Sequence, residues 1–140
     1  MTLTDSGPLV ALLDRDDPYH NPCSEAVLNL SKPLLTTLPA LTEAMYFLGE
    51  QFGWRSQELL WKLVTSGELE IAPVEGEVLA RLPILMQLYQ DAPMDMADAS
   101  LVAVAEAMDL RRIFTIDSHF YAYRMRNGRT FEVIPGSPHR

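Results

Sequence analysis

Apolar residues recur along this chain with two periods, and the switches between them mark out its elements. Thr2-Leu3-Thr4 is a short strand candidate that runs straight into Asp5-Ser6-Gly7-Pro8, a turn whose proline sits where a helix can begin. One helix is expected over Leu9–Asp14, and Asp16-Asp17-Pro18 is expected to cap a second, in which Ala26, Val27 and Leu30 recur at helical spacing before Ser31-Lys32-Pro33 stops it. Leu34–Thr37 reads as a buried strand. From Pro39 to Phe52 a stripe of Leu41, Met45, Leu48 and Phe52 predicts a helix ended by Gly53. Arg55–Thr65 predicts another, closed by Ser66-Gly67, and Glu68–Ala72 a third strand. Glu75–Tyr89 has Val78, Leu82, Leu85 and Leu88 at helical spacing, with Pro83 inside as a potential kink. After the break at Asp91-Ala92-Pro93 come a helix over Met96–Met108, a strand over Arg112–Ile116 and a last strand over Phe131–Ile134. Alternating strands and helices predict an α/β fold, a parallel sheet with helices on both faces.

The chain has 140 residues, one domain's worth. Residues 1–135 are expected to form that domain and 136–140 a polar tail. A hydrophobic share of 48% and a charged share of 21% supply a real core. The 19 acidic residues outnumber the 11 Lys and Arg, for a net charge of −8, which excludes a surface built for unspecific phosphate binding. Any nucleic-acid contact must be local or made through bound cations. Cys23 is the only cysteine, which excludes an internal disulfide, and His20, His119 and His139 give no zinc-ligand spacing. No apolar run reaches a membrane span of ~18–20 residues, and no positive stretch precedes the first apolar segment, so a soluble, cytoplasmic protein without a membrane partner is expected.

The placement of a few acids changes the picture. Asp5 follows the first strand and Asp117 follows Ile113–Ile116, so both fall at carboxyl ends of strands, where open α/β sheets bind ligands. Glu43 interrupts an apolar helical segment close after a strand. Asp98 is followed by Leu101, Val102 and Ala105, which put it on the apolar face of its helix, and Asp95 lies one turn earlier. Acids this close repel unless a cation or a shared proton intervenes. An all-oxygen cluster selects a hard divalent ion, Mg²⁺ or Mn²⁺, and the fitting substrate is a phosphate ester. Arg111, Arg112, Arg124, Arg126 and Arg129 form a basic strip able to meet a nucleic-acid backbone.

Each residue also has a plainer role open to it. Asp5 and Asp95 suit helix caps, Asp117-Ser118 suits a turn, and Glu43 suits a partly exposed surface. Asp14, Asp16, Asp17 and His20 read as capping and surface residues. Trp54 and Trp61 read as core or as a dimer contact.

In the order Asp5, Glu43, Asp98, Asp117 the chain resembles the PIN domain, especially bacterial ribonuclease toxins of the VapC type. The resemblance rests on Thr4–Asp14, Leu41–Ala44, Met94–Leu101 and Phe114–Phe120. It implies a three-layer α/β/α fold with a central parallel sheet, with residues 1–135 as a PIN-like nuclease domain. It also implies Asp5, Glu43, Asp98 and Asp117 as catalytic metal-binding acids with Asp95 as an auxiliary ligand, Mg²⁺ or Mn²⁺ as cofactor, and cleavage of RNA. Thr115 matches the family's small hydroxyl residue, and Ser6 or Thr115 is expected to orient ligand or water, while Arg124 and Arg126 are the candidate substrate-binding residues. Implied partners are a second copy of the chain and a cognate antitoxin. The alternative is a PIN-fold protein-binding or regulatory module with little or no nuclease activity. A phosphoacceptor receiver domain is disfavoured, because Lys32 and Lys62 are the only lysines and neither follows the right strand.

Overall fold

A computed structural model describes residues 1–136, so the tail expected at 136–140 lies, after Gly136, outside the described residues. Five strands, β1 (Thr2–Thr4), β2 (Leu34–Thr37), β3 (Leu69–Ala72), β4 (Arg112–Phe114) and β5 (Glu132–Ile134), form one sheet in the order β3-β2-β1-β4-β5. Every pairing is parallel, with Leu3 opposite Leu35 on one side and Ile113 on the other. Helices α1 (Ser6–Leu13), α2 (His20–Val27), α3 (Leu38–Phe52) and α4 (Trp54–Thr65) pack a core of Leu9, Leu41, Leu48, Leu60 and Phe114. Helices α5 (Gly76–Leu88) and α6 (Met96–Met108) pack a second core around Leu3, Leu35, Leu85, Leu101, Val102 and Ile113. The expected three-layer α/β/α architecture is present. Among the described residues no helix is long and apolar enough to cross a membrane.

The strand order decides where a ligand can sit. The chain leaves β1 towards β2 in one direction and returns through α6 to β4 on the other side, so β1 is the point where the winding reverses. Crossovers on opposite sides leave a crevice beyond the carboxyl end of such a strand. Helix α6 is buried continuously from Ala97 to Ala105, as expected of a helix apolar nearly all round. It is pinned to the end of β2: the Thr37 hydroxyl lies 2.6 Å from Ser100 Oγ, which itself donates to the Ala97 carbonyl at 2.7 Å. Ser100 has one proton and spends it on Ala97, so Thr37 is the donor to Ser100.

Several boundaries differ from expectation. Helix α1 starts at Ser6 rather than Leu9, because the extended Asp5 accepts the Ser6 N–H and caps it, and Pro8 still falls in the first turn, where its missing N–H costs nothing. Asp16-Asp17-Pro18 does not cap α2; it forms a turn in which Asp17 accepts the Tyr19 N–H, and the helix begins at His20. Strand β4 stops at Phe114, after which the Asp117 N–H donates to Thr115 Oγ1 and a 3-10 turn, Ser118–Tyr121, follows that periodicity did not reveal. Pro83 sits on the exposed side of a continuous α5, where the Leu79 carbonyl it frees can meet water. Phe52, Leu88, Trp54 and Trp61, expected to be apolar contacts, are exposed, so neither tryptophan belongs to the core.

Gly7 fixes the first turn of α1 against the segment leading to Asp117. A Cβ there would lie 2.7 Å from Ile116 Cγ1, too close without a shift. Gly7→Ala is therefore expected to cost about 1–3 kcal/mol by overpacking. Urea denaturation checks it, and a double variant with Ile116→Ala should cost less than the sum of the two singles.

Candidate active site

The acids gather at the crevice beyond β1. Asp5, 5% exposed, accepts the Ser6 N–H at 2.7 Å on Oδ1 and the Thr115 hydroxyl at 2.8 Å on Oδ2. Thr115 Oγ1 in turn accepts the Asp117 N–H at 3.0 Å, so one hydroxyl ties the end of β1 to the segment after β4. Glu43, from the first turns of α3, reaches over from the rim and accepts from Ser6 Oγ at 3.2 Å. Asp95 caps α6 by accepting the Asp98 N–H at 2.8 Å. Asp98, 6% exposed on the first turn of α6, accepts the Tyr123 hydroxyl at 2.8 Å on Oδ2. Asp117 caps the 3-10 turn by accepting the His119 N–H at 2.9 Å. The capping roles open to Asp5, Asp95 and Asp117 are thus all filled, and filling them is what aims the three carboxylates.

These groups feel one another. Burial raises the Asp5 carboxyl above the ordinary carboxylate range, against the hydrogen bonds from Thr115 and Ser6, and repulsion from Asp117 and Asp95 adds to it. Glu43 is also raised, first by partial desolvation and then by Asp95, with Asp5 contributing. Asp98 is pushed up to about 8, chiefly by burial, against the Tyr123 hydrogen bond and with repulsion from Asp95, Asp5 and Asp117. Burial and the bond to Asp98 push the Tyr123 hydroxyl upward too, so it is the fixed donor of that pair. A cation placed among them would reverse the balance for every acid at once.

Asp98, Asp117 and His119 each offer a ligand atom, all within 4.8 Å of one another, an arrangement able to hold a metal ion. His119 and Tyr123 are the site residues that sequence reasoning missed. Histidine spacing alone excludes only a zinc site, whereas the usable signal for His119 is a histidine two positions after a candidate acid, in Asp117-Ser118-His119. Tyr123 had no signal at all: it reaches Asp98 only because the 3-10 turn folds back over α6.

The basic strip is not brought to the acids. Arg124 Nη1 donates to the carbonyls of Tyr121, Ala122 and Tyr123, closing the end of the 3-10 turn. Arg126 lines shallow clefts beside Glu106 and Asp109 near the far end of α6. Arg112 pairs with Glu132, and Arg129 with Asp109. Next to the acids a cleft of about 290 Å³ is lined by Ser6, Gly7, Val10, Glu43, Ala44, Phe47 and Ile116, with Asp17 at its edge. A larger cavity of about 510 Å³ lies at the opposite ends of β2 and β3, among Leu12, Leu13, Leu34 and Leu69, and none of Asp5, Glu43, Asp95, Asp98 and Asp117 lines it.

Known proteins resemble this chain in sequence and in fold. Residues 2–125 match the family model described as PIN domain. The chain is 27% identical over 134 residues to Ribonuclease VapC26 of Mycobacterium tuberculosis, spanning 95% of this chain and 99% of that protein. In fold it is similar to M. tuberculosis VapC20, a sarcin-ricin loop cleaving toxin, with a TM-score of 0.81 at 16% identity over 87% of this chain and 94% of that one. It is also similar to a toxin–antitoxin complex from Klebsiella pneumoniae, with a TM-score of 0.67 at 17% identity over 87% and 91% of the two chains. A third similar structure is VapBC2 of Rickettsia felis bound to a promoter DNA fragment, with a TM-score of 0.63 at 15% identity over 94% and 97%.

A raised carboxyl makes the metal-free protein lose stability as pH rises. Asp98 titrates near pH 4 when unfolded and at about 8 when folded. The folded state therefore holds the extra proton between those values, and its contribution, complete below the lower one, is gone above the upper. With EDTA present, the melting temperature should fall between pH 5 and 9. Asp98→Asn, which keeps the volume and an acceptor for Tyr123, should flatten that slope. Parallel slopes for the two proteins in thermal melts would contradict the assignment.

Proposed function

The chain belongs to the PIN-domain family, and on that footing we propose that it is a Mg²⁺- or Mn²⁺-dependent endoribonuclease hydrolysing RNA phosphodiesters, the toxin of a toxin–antitoxin pair. The reading is carried by Asp98, a carboxylate 6% exposed on the most buried helix, which feels the repulsion of three other acids, Asp95, Asp5 and Asp117. Such a group has no solvated or structural ion-pair role there and fits a cation site. The donor set also fits: carboxylate oxygens dominate it, as a hard divalent ion requires.

In this reading Asp5, Asp98 and Asp117 would hold the cation, with Glu43 and Asp95 at its rim. A divalent ion bound by them would supply the polarisation of water and the neutralisation of phosphoryl charge that phosphodiester hydrolysis needs. Thr115 holds Asp5 and Asp117 in register through its hydroxyl, donating to one and accepting from the other's backbone. Ser6 has one hydroxyl proton to share between Asp5 and Glu43, so it can turn to orient a water or substrate oxygen. The RNA strand enters across the rim at Glu43, and Arg126 and the remaining N–H groups of Arg124 are left to meet its backbone further along.

Residues 1–135 are taken as the nuclease unit, working in the cytoplasm. The antitoxin partner is inferred from the ribonuclease relative and the toxin–antitoxin neighbours. A homodimer is inferred from Tyr46, Phe52, Trp54, Leu59 and Trp61, large apolar side chains left 41–68% exposed on α3 and α4. The same apolar face suits the alternative, a PIN-fold protein-binding module with little or no nuclease activity.

Incubation of the purified protein with cellular RNA separates the two. Cleavage is expected with Mn²⁺ or Mg²⁺ and none with EDTA, and Asp5→Asn or Asp98→Asn should each lower it by on the order of 100-fold or more while the circular dichroism spectrum stays unchanged. Intact RNA under all metal conditions would favour the binding module, and full activity in both variants would sink the site.

A further inference from the structure

The 3-10 turn does more than cap a chain end. Its first residues fold His119 back on Asp117, so that both the His119 backbone N–H and its ring Nδ1 lie 2.9 Å from Asp117 Oδ1. The imidazole stacks on the Tyr123 ring, with centroids 6.2 Å apart and planes 24° from parallel. Tyr123 is itself buried, packed edge-on against Tyr89 and Phe120, and bonded to Asp98. One short segment therefore holds two of the acids and brings an imidazole nitrogen within 4.8 Å of both.

We propose that His119 is a nitrogen ligand of the cation shared with Asp98 and Asp117, and that it biases the centre towards a first-row transition ion over Mg²⁺. The proposal rests on the metal-dependent reading above and adds a ligand of a different chemical type. Ligands opposite one another across a Mg²⁺-sized ion are roughly 4 Å apart, so three atoms within 4.8 Å close on an ion with small side-chain movement. Mg²⁺ prefers oxygen and keeps its water, whereas imidazole is a good donor to transition ions, of which Mn²⁺ is the hardest. The ring is held from one face by Tyr123, and its side chain is 52% exposed, so it can turn towards an ion without opening the core.

The competing role is a hydrogen bond that merely orients Asp117, and asparagine separates the two. In His119→Asn the side-chain N–H can still donate to Asp117, but the imidazole nitrogen is gone. Pulsed electron paramagnetic resonance on the full chain loaded with Mn²⁺, without RNA, should show directly coordinated ¹⁴N in the parent and in His20→Asn, and none in His119→Asn. Competition titrations should show the preference for Mn²⁺ over Mg²⁺ falling about tenfold in His119→Asn. Mn²⁺ bound without ¹⁴N coupling in the parent, or an unchanged preference in His119→Asn, would overturn the proposal and leave the acid site standing. If Asp98→Asn binds Mn²⁺ as tightly as the parent, the acid site itself fails, and the proposal with it.

Discussion

Everything at this site follows from a carboxylate placed where a carboxylate is expensive. Asp98 lies on the first turn of a helix buried on nearly all sides, and the charges it senses are Asp95, Asp5 and Asp117, all of its own sign. Among the described residues the fold brings no lysine or arginine to the cluster, and its one nearby basic side chain, His119, pairs with Asp117. The fold supplies hydrogen-bond donors instead: Tyr123 to Asp98, Thr115 and the Ser6 N–H to Asp5, the His119 N–H to Asp117. Donors fix the direction of each carboxylate without cancelling its charge, which leaves the cluster organised and unneutralised. That is the state a cation completes.

The sheet makes the cluster possible. With β1 at the reversal of the winding, Asp5 is carried to the same crevice as the segment after β4, and the Thr37–Ser100 bond sets α6 in place above it. Distance along the chain is irrelevant to this: Thr115 and Asp5 are bonded across 110 positions. The caps belong to the same design. An aspartate that accepts the first N–H groups of a helix has its orientation set by backbone geometry, so the start of α1, the start of α6 and the 3-10 turn each deliver a carboxylate in a known direction.

This also explains how far the sequence could be read. The succession of five strands and six helices along the chain was legible because buried strands and amphipathic helices have different periods, and Asp98 was legible because Leu101, Val102 and Ala105 fixed its face. The choice between cap and site residue was not legible for Asp5 and Asp95, since in this fold the same oxygen pattern serves both. Tyr123 was invisible because it acts through a 3-10 turn, which has no hydrophobic period, and His119 could be sought only from its place two positions after Asp117. The arginine strip was legible as charge but not as geometry. Closeness in sequence suggested a shared surface, whereas Arg124 turns one nitrogen to three carbonyls and Arg126 lies beside Glu106 and Asp109.

The central claim is that these acids hold surplus protons without a metal and surrender them to one. Isothermal titration of the parent protein with Mn²⁺, repeated near neutral pH in two buffers of different ionisation enthalpy, tests it most directly. Proton release on binding, seen as a buffer-dependent heat, with affinity rising from pH ~6 to ~8, is the predicted result. Equal heats in both buffers and a flat affinity across that range would mean the carboxylates are already ionised and apart, and would contradict the account.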